Sequence, residues 1–264
     1  MKKKLPIIIL IILLLGGGAF FFITRDKKTE EESTVTKKKI SQPVNVIDVA
    51  DRPYMILTPS ADGHYITIGV EELKMEADEL NYEMEYQTGS MLQGFQGLIS
   101  LNTLPTSEKK LFGSQSAGGA ITYHEDIKGG NLLAEYDGKE DYAVKSAWRY
   151  FTNSEDETSF SSQDTKFTIT NASLANYSYV VIYNSPGYPG ELKSELLSDP
   201  YVVRAEKSLK SISSNFEVMI KSSDENAIIM GYDGEEWQKM ETEIADGMAT
   251  ASGPFMDAYI LVKS

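Results

Sequence analysis

The run Leu80-Asn81-Tyr82-Glu83-Met84-Glu85-Tyr86-Gln87 sets the architecture. Its apolar residues fall at every second position, the period of a half-buried β-strand whose alternate side chains point to opposite faces of a sheet. The period recurs. Ile66, Ile68 and Val70 share a face, and so do Tyr142, Val144, Trp148 and Tyr150, with Lys145 and Arg149 opposite. Further on, Phe167 alternates with Ile169, Phe216 with Val218 and Ile220, and Ala258 with Ile260 and Val262. Tyr179-Val180-Val181-Ile182-Tyr183 is apolar throughout, which suits a central strand covered on both faces. Turn residues separate these runs: Ala61-Asp62-Gly63, Gly118-Gly119, Gly129-Gly130, Asp137-Gly138 and the loop from Ser185 to Gly190. Short strands at this spacing predict a mainly β chain. It is expected to form two antiparallel β-sandwich modules of immunoglobulin or fibronectin type III style, 51–152 and 165–264, of about 100 residues each, or one larger sandwich made of both. Between them 153–164 (NSEDETSFSSQD) is polar and acidic and reads as a linker or long loop.

Residues 234–245 admit two readings. Trp237, Met240, Glu241 and Ile244 fit a helical face, whereas Met240, Thr242 and Ile244 fit a strand. Context favours the strand, because Ala227-Ile228-Ile229-Met230 followed by Tyr232-Asp233-Gly234 asks for a return strand. Tyr136-Asp137-Gly138 echoes Tyr232-Asp233-Gly234, as two related modules or two unrelated Asp-Gly hairpins would.

The amino terminus reads as an address. Lys2, Lys3 and Lys4 precede a stretch, 5–24, without a charged residue. At ~1.5 Å per helical residue it spans a hydrocarbon core of ~30 Å. The expected layout is a cytoplasmic tip (1–4), a transmembrane signal-anchor (5–24) and a flexible stalk (25–50). The carboxyl-terminal part is then extracytoplasmic on a single-pass protein of the cell membrane. The rival is a cleaved signal peptide, with Gly17-Gly18-Ala19 as its small-residue site. Both readings place the folded part outside the cytoplasm.

The 264 residues carry 25 Lys+Arg and 39 Asp+Glu, a net charge of −14. Residues 1–42 hold nine of the basic and four of the acidic residues, leaving 16 against 35, a net of −19, for 43–264. So acidic a surface repels phosphate backbones, and no nucleic-acid partner is expected. The absence of cysteine removes disulfides, thiol nucleophiles, zinc–thiolate sites and iron–sulfur clusters. With only His64 and His124, a three-histidine zinc site is impossible.

No residue set stands out as catalytic or cofactor-binding. His64 follows the 61–63 turn and His124 adjoins Glu125 and Asp126, so a site assembled from them stays open and metal ligands stay unknown. The acidic loops 153–157 and 137–141 offer oxygens for weak calcium binding, without the spaced loop of an EF-hand. No other cofactor is expected. Leu111-Phe112-Gly113-Ser114-Gln115-Ser116-Ala117-Gly118-Gly119 resembles the nucleophile elbow of carboxylesterases. Its Gly113 stands one residue too early for Ser114 at the place of the first glycine, and His124 is only eight residues past Ser116, so a Gly/Ser loop between strands is expected. Asn171-Ala172-Ser173 and Asn176-Tyr177-Ser178 are glycosylation sequons. Tyr183, Tyr188 and Tyr201 cluster around the Pro/Gly loop, where tyrosines suit a protein or carbohydrate contact surface, although tyrosine is also a good strand residue.

Residues 227–262, with an apolar strand, an Asp-Gly turn, Trp237, Asp246-Gly247 and a closing Tyr259-Ile260-Leu261, resemble the last strands of β-sandwich modules in bacterial surface proteins. The layout of anchor, stalk and β-modules is similar to that of uncharacterised membrane-anchored envelope proteins of bacteria. That resemblance implies a fold and a location and no activity. The expected function is a membrane-tethered, extracytoplasmic binding or structural protein of the cell envelope, not an enzyme. Its ligand would be a protein or a carbohydrate. The alternatives are a carbohydrate-binding or carboxylate-based carbohydrate-active protein, and an accessory subunit of a membrane secretion or adhesion assembly.

Overall fold

Nineteen strands and three short 3-10 turns make up the described part of the chain, residues 43–264 of a computed structural model. The tip (1–4), the anchor (5–24) and most of the stalk (25–50) lie outside the described residues. Among the described residues no helix is long and apolar enough to cross a membrane.

In chain order the strands are β1 (Tyr54–Pro59), β2 (Tyr65–Glu72), β3 (Ala77–Thr88), β4 (Met91–Ser100), β5 (Thr106–Leu111), β6 (Gly113–Gln115) and β7 (Ile121–Tyr123). Then come β8 (Ile127–Gly138), β9 (Tyr142–Thr152), β10 (Ser159–Ser161), β11 (Phe167–Thr170), β12 (Tyr179–Asn184) and β13 (Tyr201–Ala205). The last are β14 (Phe216–Lys221), β15 (Ala227–Tyr232), β16 (Trp237–Lys239), β17 (Thr242–Ala245), β18 (Met248–Gly253) and β19 (Ala258–Lys263). A nine-stranded sheet runs β16-β15-β19-β13-β12-β9-β8-β3-β4. A three-stranded sheet, β1-β2-β5, covers one face of it, and a five-stranded sheet, β10-β11-β14-β18-β17, covers the other. β6 and β7 form a separate hairpin. Within each of these sheets the paired strands run antiparallel.

The apolar run at 179–183 explains the three layers. Val180 and Ile182 belong to one buried cluster, with Phe167, Ile169, Phe216, Val218 and Ile220 of the five-stranded sheet. Val181 and Tyr183, pointing the other way, belong to a second cluster with Met55, Leu57, Ile66, Ile68 and Val70 of the three-stranded sheet. Val180, Val181, Ile182 and Tyr183 are all at 0 % exposure. Each aliphatic side chain so buried contributes roughly 1.5–3 kcal/mol. The alternating residues Leu80, Tyr82, Met84 and Tyr86 of β3, and Tyr142, Val144, Trp148 and Tyr150 of β9, likewise line the second cluster.

The two halves of the chain are joined through one ladder. β12 pairs with β9 from Tyr179 opposite Thr152 to Tyr183 opposite Trp148. The nine-stranded sheet therefore runs across the boundary expected at 153–164, and residues 43–264 fall in one compact unit. The stretch read as a linker also carries β10 in its second part. Phe160 is 1 % exposed and packs 4.7 Å from Phe151, so its alternation with Ser159 and Ser161 is that of a strand.

Two other local expectations meet different outcomes. Residues 234–245 are extended, with β16 returning against β15 and β17 against β18. Gly129-Gly130 is not a turn but lies inside β8, next to a register shift opposite Gln87 and Thr88. A side chain is excluded there by neighbouring backbone: a Cβ on Gly130 would stand 2.0 Å from the Glu85 carbonyl oxygen, and one on Gly129 2.3 Å from that of Trp148. Glycine here serves close strand approach rather than chain reversal.

Candidate functional site

The ladder between β9 and β12 stops at Trp148 and Tyr183, and past that point the strands part. The freed edge of β9 is taken by the first described residues. Val44 bridges Ala143, the Asn45 amide nitrogen donates to the Ala143 carbonyl at 2.9 Å, and the Asn45 side chain bonds both backbone groups of Lys145. Arg52 fixes this segment by donating to the carbonyls of Ile47 (2.9 Å) and Asn45 (3.0 Å). The space left between is a polar cleft of about 360 Å³, lined by Asn45, Arg52, Asn131, Lys145, Ser146, Asp164, Lys166, Asn184, Ser185 and Asp199, among others.

Asp164 enters the cleft from the turn between β10 and β11. Its carboxylate accepts hydrogen bonds from the Ser162 hydroxyl, from the Lys166 N–H at 3.1 Å, from the Tyr201 hydroxyl at 3.1 Å and from the Asn184 amide at 3.2 Å. Burial pushes its carboxyl up, but these four donors outweigh burial and hold it below the ordinary 3.8. The same charge, added to burial, raises the Tyr201 phenol well above its usual range. The turn is a copy of the one between β1 and β2. There Ser60 donates to Asp62, the His64 N–H donates to Asp62 at 3.1 Å, and the Tyr65 N–H donates to Ser60 at 3.0 Å. In the second turn the Phe167 N–H donates to Ser162 at 3.1 Å.

Asn184 is the residue that marks the cleft. It is 7 % exposed, its amide nitrogen faces Asp164, and its Oδ1 accepts no hydrogen bond. The side chain cannot be turned over, since that would set its oxygen against the Asp164 carboxylate. A buried acceptor left unpaired costs about 1–3 kcal/mol. The cleft it shares is also lined by three cations, Arg52, Lys145 and Lys166, and by two carboxylates, Asp164 and Asp199. Ser146 Oγ is engaged by Tyr183 OH at 2.7 Å. The arrangement can take up a small polar molecule that donates a hydrogen bond to Asn184 and meets the cations with an acceptor or negative group.

Of the residues singled out in the sequence, Tyr201 and Tyr183 reach the cleft through Asp164 and Ser146, and the histidines, the acidic loops and the Gly/Ser motif lie elsewhere. His64 stacks on Tyr123 with ring centroids 3.7 Å apart, and His124 Nδ1 is 2.8 Å from Tyr86 OH. Both flank Phe112, whose N–H donates to the His64 carbonyl and whose carbonyl accepts from the His124 N–H. Among the described residues, no three His, Cys, Asp or Glu side chains are grouped so as to hold a metal ion. In the 153–157 loop, Asn153 Oδ1 accepts from the Glu157 N–H at 2.7 Å, and in the 137–141 loop Asp141 accepts from the Gly138 N–H at 3.2 Å. The 111–119 motif runs from the last residue of β5 through β6 into the β6–β7 turn, where Ser116 accepts from the Ala120 N–H. Tyr183, Tyr188 and Tyr201 are all buried, so they are core residues and not a contact surface. Asn171 is 5 % exposed and spends its amide on Ser214 and Asn215, whereas Asn176 is exposed.

Asn184 carried no mark in the sequence, because it reads as the polar end of an apolar strand. Compared with family models, with curated proteins and with solved structures, the chain matches none.

Proposed function

We propose that this is a membrane-tethered, extracytoplasmic protein that acts by binding a small polar molecule in the β9/β12 cleft, and not by catalysis. The observation that carries the reading is the unpaired, buried Oδ1 of Asn184 in a cleft lined by two carboxylates and three cations. A buried polar group without a partner calls for an explanation in a native fold, and a bound ligand supplies one at Asn184, where the atom lies among cleft-lining residues. The charge-free stretch 5–24 behind three lysines supports the tether. The finer fold reading belongs here too. β1-β2-β5 facing β4-β3-β8-β9 makes seven antiparallel strands within about 100 residues, the size of an immunoglobulin or fibronectin III-like module. The second half would be a relative of it that borrows β9 as a neighbour for β12.

Thermal denaturation against a panel of small amines, hydroxy acids and amino acids tests the binding. A ligand of the native state raises the midpoint in proportion to RT ln(1 + [L]/Kd). The expected result is a compound that stabilises the wild-type protein and leaves Asn184→Leu unmoved. A compound that shifts both equally would overturn the assignment of the cleft. Protease added to intact cells tests the location: residues 43–264 should be removed while a cytoplasmic control survives.

A further inference from the structure

Strand edges carry unsatisfied N–H and C=O groups, and folded proteins protect them by keeping them short, charged, bulged or proline-capped. The three larger sheets here have six such edges. β10 and β16 have three residues each, β17 has four and bears Glu243, β5 bears Glu108, Lys109 and Lys110, and β1 closes with Pro59. β4 alone has none of these devices. It is ten residues long, reads MLQGFQGLIS without a single charge, and sits on a domain with a net charge of −19. Among the described residues no strand pairs with its outer edge. Met91, Leu92 and Leu98 are 60 %, 63 % and 51 % exposed.

The sequence of β4 is nearly the same read in either direction about Phe95. Leu92 mirrors Leu98, Met91 mirrors Ile99, and each glutamine mirrors a glycine, Gln93 against Gly97 and Gly94 against Gln96. Two copies laid antiparallel across a two-fold axis at Phe95 would set Leu against Leu and fit each long polar side chain over a glycine. The faces agree as well. Leu92, Gly94, Gln96 and Leu98 lie opposite Gln87, Glu85, Glu83 and Asn81 of β3, on the outer side. Phe95 lies opposite Met84 on the core side and packs on Tyr86 at 5.9 Å. Symmetric pairing keeps Leu with Leu outside and brings the two Phe95 rings together inside.

We infer that the β4 edge is a homodimer interface, through which two copies of this chain join their nine-stranded sheets antiparallel about Phe95. The partner is a second copy because the pattern is self-complementary, as an isologous two-fold contact requires. β4 is also the longest of the charge-free edges, so two such acidic domains can meet along it without placing like charges in register. The inference stands apart from the ligand cleft and does not depend on it.

The chain has no cysteine, so single introduced thiols report the register in the full-length protein. At the two-fold axis, opposed Cα atoms are about 4.5–5.5 Å apart, within reach of a disulfide. Phe95→Cys should therefore crosslink to itself under mild oxidation. Leu92→Cys alone and Leu98→Cys alone place their thiols about 20 Å from their own copies. Neither should crosslink by itself, whereas a mixture of the two should do so at least about tenfold faster, given the geometry a disulfide demands. Leu98→Lys in the Phe95→Cys background should reduce crosslinking about as much, since it sets a charge against Leu92 of the other copy. The inference is overturned if the mixture crosslinks no faster than either variant alone, or if Leu92→Cys couples to itself. Both leucines are exposed, so the test survives even if Phe95→Cys folds poorly.

Discussion

Two carboxylates show how the fold sets charge residue by residue. Glu71, on β2, is raised by burial, drawn down by Arg204 and pushed up again by Asp257, ending above the ordinary 4.5. The folded state then holds this proton more tightly than the unfolded chain. Stability falls as the pH rises through the raised value, and the penalty is fully present at neutral pH. Glu71→Gln should raise the urea midpoint at neutral pH, and the gain should vanish below 4.5. Asp164 has the opposite sign. Its depressed value contributes stability above 3.8 that is lost as the pH falls through the folded value. Asp164→Asn should cost about 2 kcal/mol at neutral pH, the scale for hydrogen bonds to a charged group. That loss should shrink under acid; a loss independent of pH would contradict the four-donor account. The Ser-x-Asp pattern behind Asp164 was present in the sequence at both 60–62 and 162–164. Only the first reads readily as a turn, because Gly63 follows it at φ 71°, while Thr165 holds the same left-handed backbone at φ 57°. Asn184 was illegible for another reason. Its unpaired oxygen depends on β9 leaving β12, which no local pattern encodes.

At the level of elements, period-two alternation was enough to find most strands, because one buried face is all a half-covered strand needs. It placed β2, β3, β9, β11 and β14 with their inward residues, and all of those residues are buried. It failed where the strand was short or unusually composed. Ser159-Phe160-Ser161 holds one apolar residue in an acidic stretch, too little pattern to show a strand. Phe160→Ala separates the two readings. In a linker the change is neutral, whereas a phenylalanine buried against Phe151 should cost about 3–5 kcal/mol in equilibrium unfolding. Paired glycines were misleading in the same way. Gly129-Gly130 has the composition of a turn, yet the cause is the approach of Glu85 and Trp148 backbone from the two neighbouring strands. Gly130→Ala should therefore unfold or strongly destabilise the protein. A β8 that tolerated alanine at 130 would show that the strands are not so closely set.

For the whole molecule, the sequence distinguished two stretches of β structure but not how they meet. The apolar run 179–183 showed a strand covered on both faces; it held no information that its neighbour would be β9, from the other half of the chain. That pairing makes the halves one body, closes the second cluster with Val181 and Tyr183, and leaves the cleft at the point where β9 and β12 part. The binding reading rests on this joint, since two independent modules would have no fixed cleft between them. The most direct measurement is native-state hydrogen exchange of residues 43–264 with rising denaturant, which resolves cooperative units by their opening free energies. The slowest amides of β3 and β8, in the first half, and of β14 and β18, in the second, should converge on one global value and respond alike to Val181→Ala. Two plateaus, with the β14–β18 amides opening while those of β3 and β8 stay protected, would contradict a shared sheet and dissolve the cleft with it.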